Sequence, residues 1–367
     1  MRPNRLVSPL FLIGAVSAIL LLALPRAAFA QAVPDPFAAE SPTTTVSVQV
    51  STTNTQVAAK LLGVSQSVID DAIASAFNPE PGPHATARCA ASSNDGLDFH
   101  AVSPTLNVSG QTVGFDSTEC SVIGSVEFDL TDQQIFGADT NFLVGVFGGY
   151  THLNIDFDPS DLARTLGISG NTASNNSWLV GGYVTVARNG YYAIGSTAYM
   201  AGESKINNRI DAAFGEYDNS AYMISATVGK SIPISERAFL DFRGSLQYVD
   251  YDGDAFVDSI GNAYGKSSLS YWQGQIGVGL FGNYNLNNVV LRPYVRAALS
   301  SKFSYDNVMR INDVTVNFDE SDNLLVSLSA GATANLSEHL QLSGEISGDF
   351  SGDERTVGGK IGLKYHF

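Results

Sequence analysis

The sequence predicts an all-β protein, a transmembrane antiparallel up-and-down β-barrel of twelve strands with a short helical segment ahead of it. Three observations carry this. The last strand, Arg355 to Phe367 (RTVGGKIGLKYHF), puts Val357, Ile361, Leu363, Tyr365 and Phe367 on one parity and Lys360, Gly362, Lys364 and His366 on the other. Period two means a strand with two unlike faces, and an apolar face ending in aromatics suits lipid. The connections between later strands alternate between short and long, the asymmetry of periplasmic turns and extracellular loops. Beyond residue 31 no uninterrupted apolar window reaches the roughly 20 residues of a spanning helix, so any further membrane crossing uses strands.

The first thirty residues read as a secretory signal peptide. Arg2 and Arg5 precede an apolar run from Leu10 to Leu24, and Ala28-Phe29-Ala30 offers small residues for cleavage before Gln31. Residues 31–53 are rich in Pro, Ser and Thr and read as a linker, with TTTVSVQV alternating too briefly for more than an edge strand. From Asn54, Val57, Leu61, Val64, Val68 and Ala72 recur at helical spacing until Asn78-Pro79, predicting an amphipathic helix over about 55–77. The region 31–96 is thus a linker carrying that helix, either a plug in a lumen or a loose periplasmic element, and 97–367 is the barrel.

Strands are expected at about 97–117, 121–130, 140–156, 176–188, 190–202, 218–231, 236–250, 267–284, 289–304, 322–336, 338–350 and 354–367. Around Trp272, Ile276, Val278 and Leu280 oppose Gln273, Gln275 and Gly277; later, Leu291, Val295, Leu299 and Phe303 oppose Arg292, Tyr294, Arg296, Ser300 and Lys302. A soluble sandwich also alternates, but it has no reason to sort its loops. Here residues 188–190, 232–236, 285–288 and 336–339 are short, and about 157–175, 203–217, 251–266 and 305–321 are long. With the C-terminus in the periplasm, every short turn falls on the periplasmic side. Tyr191, Tyr192, Tyr284, Tyr365 and Phe367 then lie at one interface and Trp178, Tyr248, Trp272, Phe303 and Phe350 at the other, forming two aromatic girdles. Inward parity gives lumen-facing charges Arg243, Arg292, Arg296, Lys302, Glu345, Asp349, Lys360 and Lys364. Lys360 and Lys364 are expected to neutralise Glu345 and Asp349 across the sheet.

A formal charge of −16, from 36 acidic and 20 basic residues, argues against a nucleic-acid partner, whose phosphates need a basic surface. Cys89 and Cys120 follow a secretory signal into an oxidising compartment, which favours a disulfide. If strand one joins them from bottom to top, however, a membrane thickness of about 30 Å separates them, beyond the roughly 7 Å Cα reach of the bond. Either the bridge or that strand must yield.

None of His84, His100, His152, His339 and His366 is set beside an acid or a serine in an outer loop, so no catalytic constellation is expected. Asp250, Asp252, Asp254 and Asp258, then Asp313, Asp319, Glu320 and Asp322, read as solvated loop surface, since Asp252-Gly253-Asp254 lacks the rest of a calcium loop. Neither a metal nor another cofactor is implied.

Three segments, FLVGVFGGYTHLNIDF (142–157), LRPYVRAALSSKF (291–303) and the ending from Leu325 to Phe367, resemble the autotransporter β-domain of Gram-negative bacteria. The resemblance implies a twelve-stranded outer-membrane barrel with a helix in its lumen leading out to a secreted passenger. It implies that Ile361, Leu363, Tyr365 and Phe367 form the signal read by the barrel-assembly machinery. A lumenal helix would bring Lys60, Gln66, Asp70 and Asp71 to Arg243, Arg292, Arg296, Lys360 and Lys364. The chain departs from many such proteins in lacking a long repetitive β-helix stretch after Gln31, so that either the passenger within 31–96 is vestigial or the barrel itself is the product. The leading expectation is translocation or anchoring of a short surface segment. A surface-binding protein acting through acidic loops, a small solute channel and an outer-membrane hydrolase remain open as alternatives.

Overall fold

A computed structural model describes residues 42–77, 83–100, 111–137, 139–158, 170–209, 212–286, 289–311, 314–318, 324–352 and 354–367. The signal-peptide expectation and residues 31–41 lie outside these.

The described chain opens with α1 (Pro42–Phe77). The barrel follows as β1 (His84–His100), β2 (Gln111–Asp129), β3 (Asn141–Phe157), β4 (Thr172–Arg188), β5 (Tyr191–Asn208) and β6 (Ala213–Ser235). It continues as β7 (Ala238–Gly253), β8 (Ala263–Gly282), β9 (Val289–Ile311), β10 (Leu324–Asn335), β11 (Leu340–Phe350) and β12 (Glu354–His366). Short pieces Phe256–Val257, Tyr284–Leu286 and Val314–Asn317 pair at the rims. Every neighbour is antiparallel, and β12 pairs with β1 from His366↔His84 to Glu354↔Gly96, which closes the sheet. Closure leaves no free edge, so the backbone is satisfied in lipid.

Outward parity is apolar. Val146, Trp178, Ile224, Phe242, Ile276, Leu299, Ile346 and Ile361 are all exposed, an arrangement that lipid rewards and water does not. Trp178 packs near Tyr199 and Tyr248 near Trp272, with ring centroids 5.7 and 5.0 Å apart, toward the end where α1 begins, called the mouth below. Tyr191, Tyr365 and Phe367 are exposed at the opposite end, the base. Tyr192, expected in that girdle, points inward instead, because its neighbour Tyr191 takes the outward position of an alternating strand.

Four sequence expectations need correction. The helix starts at Pro42 rather than about residue 55, absorbing the supposed linker and edge strand. Thr and Val each lose up to about 0.7 kcal/mol against Ala in a helix. Fully burying a Val regains about 1.5–3 kcal/mol, and Val46, Val48 and Val50 are each no more than 2% exposed. Pro42 opens the helix at the one place where a missing N–H costs nothing. The first strand is 84–100 rather than about 97–117: its outward residues Ala85, Ala87, Cys89 and Ala91 are too small to register as an apolar face.

The cysteines follow from this shift. Cys89 lies opposite Val122 and Cys120 opposite Ala91, so they sit diagonally on adjacent strands of one face, and both thiols are free and exposed. The expected disulfide is absent, and the distance conflict disappears with the misplaced strand. The mouth loops are also shorter than expected. The segment 203–217 is mostly β5 and β6, joined only by 209–212. Above the membrane the strands reverse polarity, with Lys205 and Glu216 outward and Ile206 and Tyr217 buried inward, so their outer faces read as loop.

Across β2–β3–β4, Glu127, Gly145 and Tyr183 are in register. The Tyr183 ring lies over Gly145 and donates its hydroxyl to Glu127 Oε2 at 2.5 Å. A Cβ at Gly145 would approach the ring carbon to 2.2 Å. Gly145→Val is therefore expected to lose the bridge and destabilise by about 1–3 kcal/mol, lowering the temperature of the heat-modifiable gel shift. Gly344→Ala, with nothing within 4 Å of its new Cβ, should leave that temperature unchanged.

Candidate functional site

The site is the lumen, and α1 fills most of it. No helix among the described residues is apolar enough to cross a membrane. A helix of the length of α1 nevertheless reaches about 54 Å, and it crosses that depth inside protein. From Val46 to Asn54 every residue is buried within a collar built by the mouth ends of the strands, including Tyr217, Tyr251, Tyr264, Leu269, Tyr271 and Met309. Below the collar one face, with Val57, Leu61, Val64, Val68, Ala72 and Ile73, packs chiefly against β3–β5. The other, with Thr55, Ala59, Gly63, Gln66, Ser67, Asp71 and Ala74, is set at three- and four-residue spacing and stays partly open. A crevice of about 400 Å³ adjoins it, walled by Ser92, Ser327, Ser347 and Thr356 together with apolar residues such as Ile123 and Leu325.

Hydrogen bonds pin the helix near the mouth. Asn54 accepts from Tyr217 Oη at 2.9 Å and donates to Ser267 Oγ at 3.0 Å. Asn307 donates to Ser51 Oγ at 2.9 Å, and Gln56 donates to Glu354 Oε1 at 2.7 Å. At the base, Asn141 donates to the Ala76 carbonyl at 2.7 Å, supplying a partner to one of the last carbonyls of the helix. Phe77 meets Tyr192 edge-on with centroids 5.5 Å apart.

Midway, charges meet charges. Asp70 is bonded by Arg243 and by Arg296 Nη1, the latter at 2.8 Å from Oδ2. Asp71 pairs with Arg88 of β1. Lys360 Nζ lies 3.1 Å from Glu345 Oε1 and 3.2 Å from Ser67 Oγ of the helix. Glu345 is 3.5 Å from Arg296 and accepts from Tyr294 Oη at 2.6 Å. Tyr294 reaches it by lying over Gly331, whose own Cβ would come within 2.5 Å of the phenol oxygen. Tyr192 likewise crosses one strand to donate to Asp241 Oδ2 at 3.0 Å. Each tyrosine thus fixes a carboxylate two strands away, and a fixed carboxylate holds its cation without the entropy cost of a free side chain.

The remaining sequence-derived lumen residues are placed as follows. Lys364 donates to Ser75 Oγ of α1 at 2.8 Å and lies in the electrostatic reach of Glu127. Its rung partner is Gln341, while Asp349 lies opposite Thr356, eight residues or about 27 Å away along the strand. The expected Lys364–Asp349 neutralisation does not form. Lys302 Nζ sits over the Tyr271 ring, 5.4 Å from its centroid. Arg292 shares the inward parity of Tyr294 and Arg296. Asp349 lines the crevice. Ile361, Leu363, Tyr365 and Phe367 are exposed on the outer face.

The acidic loops resolve partly. Asp258 is buried, accepting from Ile260 N, Asn262 N, Asn262 Nδ2 and Tyr264 Oη, and organises the turn 258–262. Asp313, Asp319, Glu320 and Asp322 lie outside the described residues. Among the described residues no group of three or more potential metal ligands converges.

Sequence reasoning missed Arg88, His84, Glu127 and Ser75. His84 Nε2 is 2.5 Å from Glu127 Oε1, and its ring faces that of His366 at 5.0 Å across the closing seam. Only the alternation His84, Thr86, Arg88 against Ala85, Ala87, Cys89 signals this set.

A closed barrel entered lengthwise by the segment preceding its first strand is the geometry of a translocator, and the comparisons agree. The autotransporter beta-domain family profile matches residues 99–347. The chain belongs to the autotransporter beta-domain family. Autotransporter CRAC of Citrobacter rodentium (strain ICC168) is 25% identical over 247 residues, covering 65% of this chain and 14% of that protein, so the chain spans a small part of that relative. Among solved structures, the translocator domain of autotransporter NalP from Neisseria meningitidis aligns with a TM-score of 0.63 at 14% identity, covering 85% of this chain and 97% of that one. The beta domain of the Bordetella autotransporter BrkA aligns at 0.57 and 16% identity, covering 77% and 100%. This autotransporter β-domain is accordingly an outer-membrane barrel of the Gram-negative type, in a secretion family.

Removing one partner of a buried ion pair costs about 3–5 kcal/mol. Arg296→Ala strips a cation from both Asp70 and Glu345, and should lower the denaturant midpoint for helix release accordingly. Tyr217→Phe removes one neutral hydrogen bond and should cost about 1 kcal/mol in the same assay.

Proposed function

We propose that this barrel exports the segment ahead of α1, anchors it at the cell surface, and is then closed by α1. One observation carries the reading: α1 runs through the lumen from mouth to base and leads into β1 at the base. On this proposal, export carries the segment N-terminal to Pro42 out through the mouth. In this reading the base and the C-terminus face the periplasm, the mouth faces outward, and residues 1–30 are the signal peptide that directs the chain across the inner membrane.

The outer face of β12 supports a second part of the proposal. Ile361, Leu363, Tyr365 and Phe367 form an exposed apolar row ending in aromatics, a surface that the barrel-assembly machinery can read before the strand meets β1. Lys360 and Lys364 on its other face are engaged with the lumen contents. The two faces of one strand thus divide assembly from plugging. The export reading draws on the geometry of the lumen, and no step in it requires a catalytic group.

An epitope placed just before Pro42 should be labelled by antibody on intact cells, while the same epitope in the base turn 236–237 should need permeabilised cells. Labelling of the base turn alone would reverse the orientation and refute export. Deletion of Phe367 should reduce the fraction of heat-modifiable barrel in the outer membrane, with unassembled chain accumulating in the periplasm. Normal assembly of that variant would remove the signal role from the terminal row.

A further inference from the structure

The charges of α1 are few and their placement is uneven. From Pro42 to Ile69 there is no carboxylate; the helix carries only Asp70 and Asp71, and its one cation is Lys60. Toward the N-terminus the next carboxylate in the sequence is Glu40, thirty positions before Asp70. The wall is the complement. Arg88, Arg243, Arg296 and Lys360, from β1, β7, β9 and β12, converge at the level of Asp70 and Asp71; Glu345 is already paired to two of them, and Asp241 lies in the electrostatic reach of Arg243 and Arg296.

A segment moving from base to mouth therefore presents this girdle with an uncharged stretch interrupted by one repelled cation. Then two adjacent carboxylates arrive. Asp70 enters between Arg243 and Arg296, and Asp71, about 100° further round the helix, turns to Arg88. Lys60 has by then passed the girdle and lies in the electrostatic reach of Glu119 on β2. Backward sliding by about 15 Å would carry Lys60 into the clasp built for a carboxylate. Attraction at one point and repulsion ten residues ahead of it select a single register.

We propose that Asp70-Asp71 is the stop signal of export: an acidic pair whose capture by a cationic carboxylate site on the wall, Arg88, Arg243, Arg296 and Lys360, halts the moving polypeptide and sets the length displayed. This rests on the export reading above and adds to it the chemistry that ends translocation. The wall site takes carboxylate side chains of a polypeptide, and Asp70 is its resident ligand. Hydrogen bonds such as Asn54 to Tyr217 and Ser267 then lock a register that charge has chosen.

The test moves the acids and follows the register. In a full-length Cys89→Ser/Cys120→Ser background, the cysteine pair Asn54→Cys/Ser267→Cys reports the native register. Val50→Cys/Ser267→Cys reports a helix stopped one turn earlier, about 6 Å nearer the base. With native charges the first pair should crosslink and the second should not. Moving the acids up one turn, with Gln66→Asp, Ser67→Asp, Asp70→Gln and Asp71→Ser, should shift the crosslink to the second pair. Neutralising them, with Asp70→Asn and Asp71→Asn, should lower the yield of the first pair and produce ionic conductance in planar bilayers. Asp70→Glu/Asp71→Glu, which keeps the charge, should retain the first crosslink and a closed pore.

Heat-modifiable migration verifies the barrel in each case, and the neutral variant decides if the shifted one does not assemble. Unchanged crosslinking of the first pair in both the shifted and the neutral variants would overturn the stop signal while leaving the export reading intact. Failure of both pairs to crosslink in an assembled barrel with native charges would overturn the export reading itself.

Discussion

A barrel in lipid is built inside out: its apolar face is solvated by hydrocarbon, and its polar face must be satisfied within a narrow lumen where water is scarce. In this protein that constraint converges on the carboxylate of Asp70, held by Arg243 and Arg296 while Arg296 and Lys360 share Glu345. One helical residue is tied directly to β7 and β9 and, through Arg296 and Glu345, to β11 and β12. Without it the wall would carry an excess of buried cations, whose desolvation costs several kcal/mol per ion. The tyrosines that bridge over Gly145 and Gly331 belong to the same solution, since they immobilise acids that would otherwise compete for water.

The second consequence lies above the membrane. Once the strands leave lipid, their outer face becomes polar and their inner face apolar, and the mouth becomes a conventional hydrophobic core around a helix. This explains why a segment as rich in Thr and Val as 43–50 is helical: burial of three valines on all sides exceeds the propensity cost. The same helix is thus gripped in two different ways, by apolar packing in the collar and by ion pairs at mid-depth, with a water-accessible crevice along one face between them.

Much of this was legible in the sequence. The strands from β3 onward could be read because their outward residues, such as Val146, Ile276 and Leu299, are large and alternate with Gly, Ser and Arg. The inward charges could be read from the same parity. The first strand could not, since Ala85, Ala87 and Ala91 give a lipid face with almost no hydropathy contrast. With it were lost Arg88, His84 and the true relation of Cys89 to Cys120. The upper helix was hidden because β-branched residues in period two favour a strand locally, and only the surrounding collar overrides that preference. Lys364 was assigned the wrong partner because parity gives a face but not a height; the register that separates it from Asp349 is a property of the closed sheet.

The central claim is that α1 is an integral part of the assembled barrel, enclosed from Val46 to Ala76. Amide hydrogen exchange on the full-length protein in lipid bilayers tests it most directly. The account predicts that amides 46–54 exchange as slowly as those of β4 and β5, with protection continuing through the segment that carries Asp70. Rapid exchange of 46–76 while the strands stay protected would place the helix outside the lumen and contradict it.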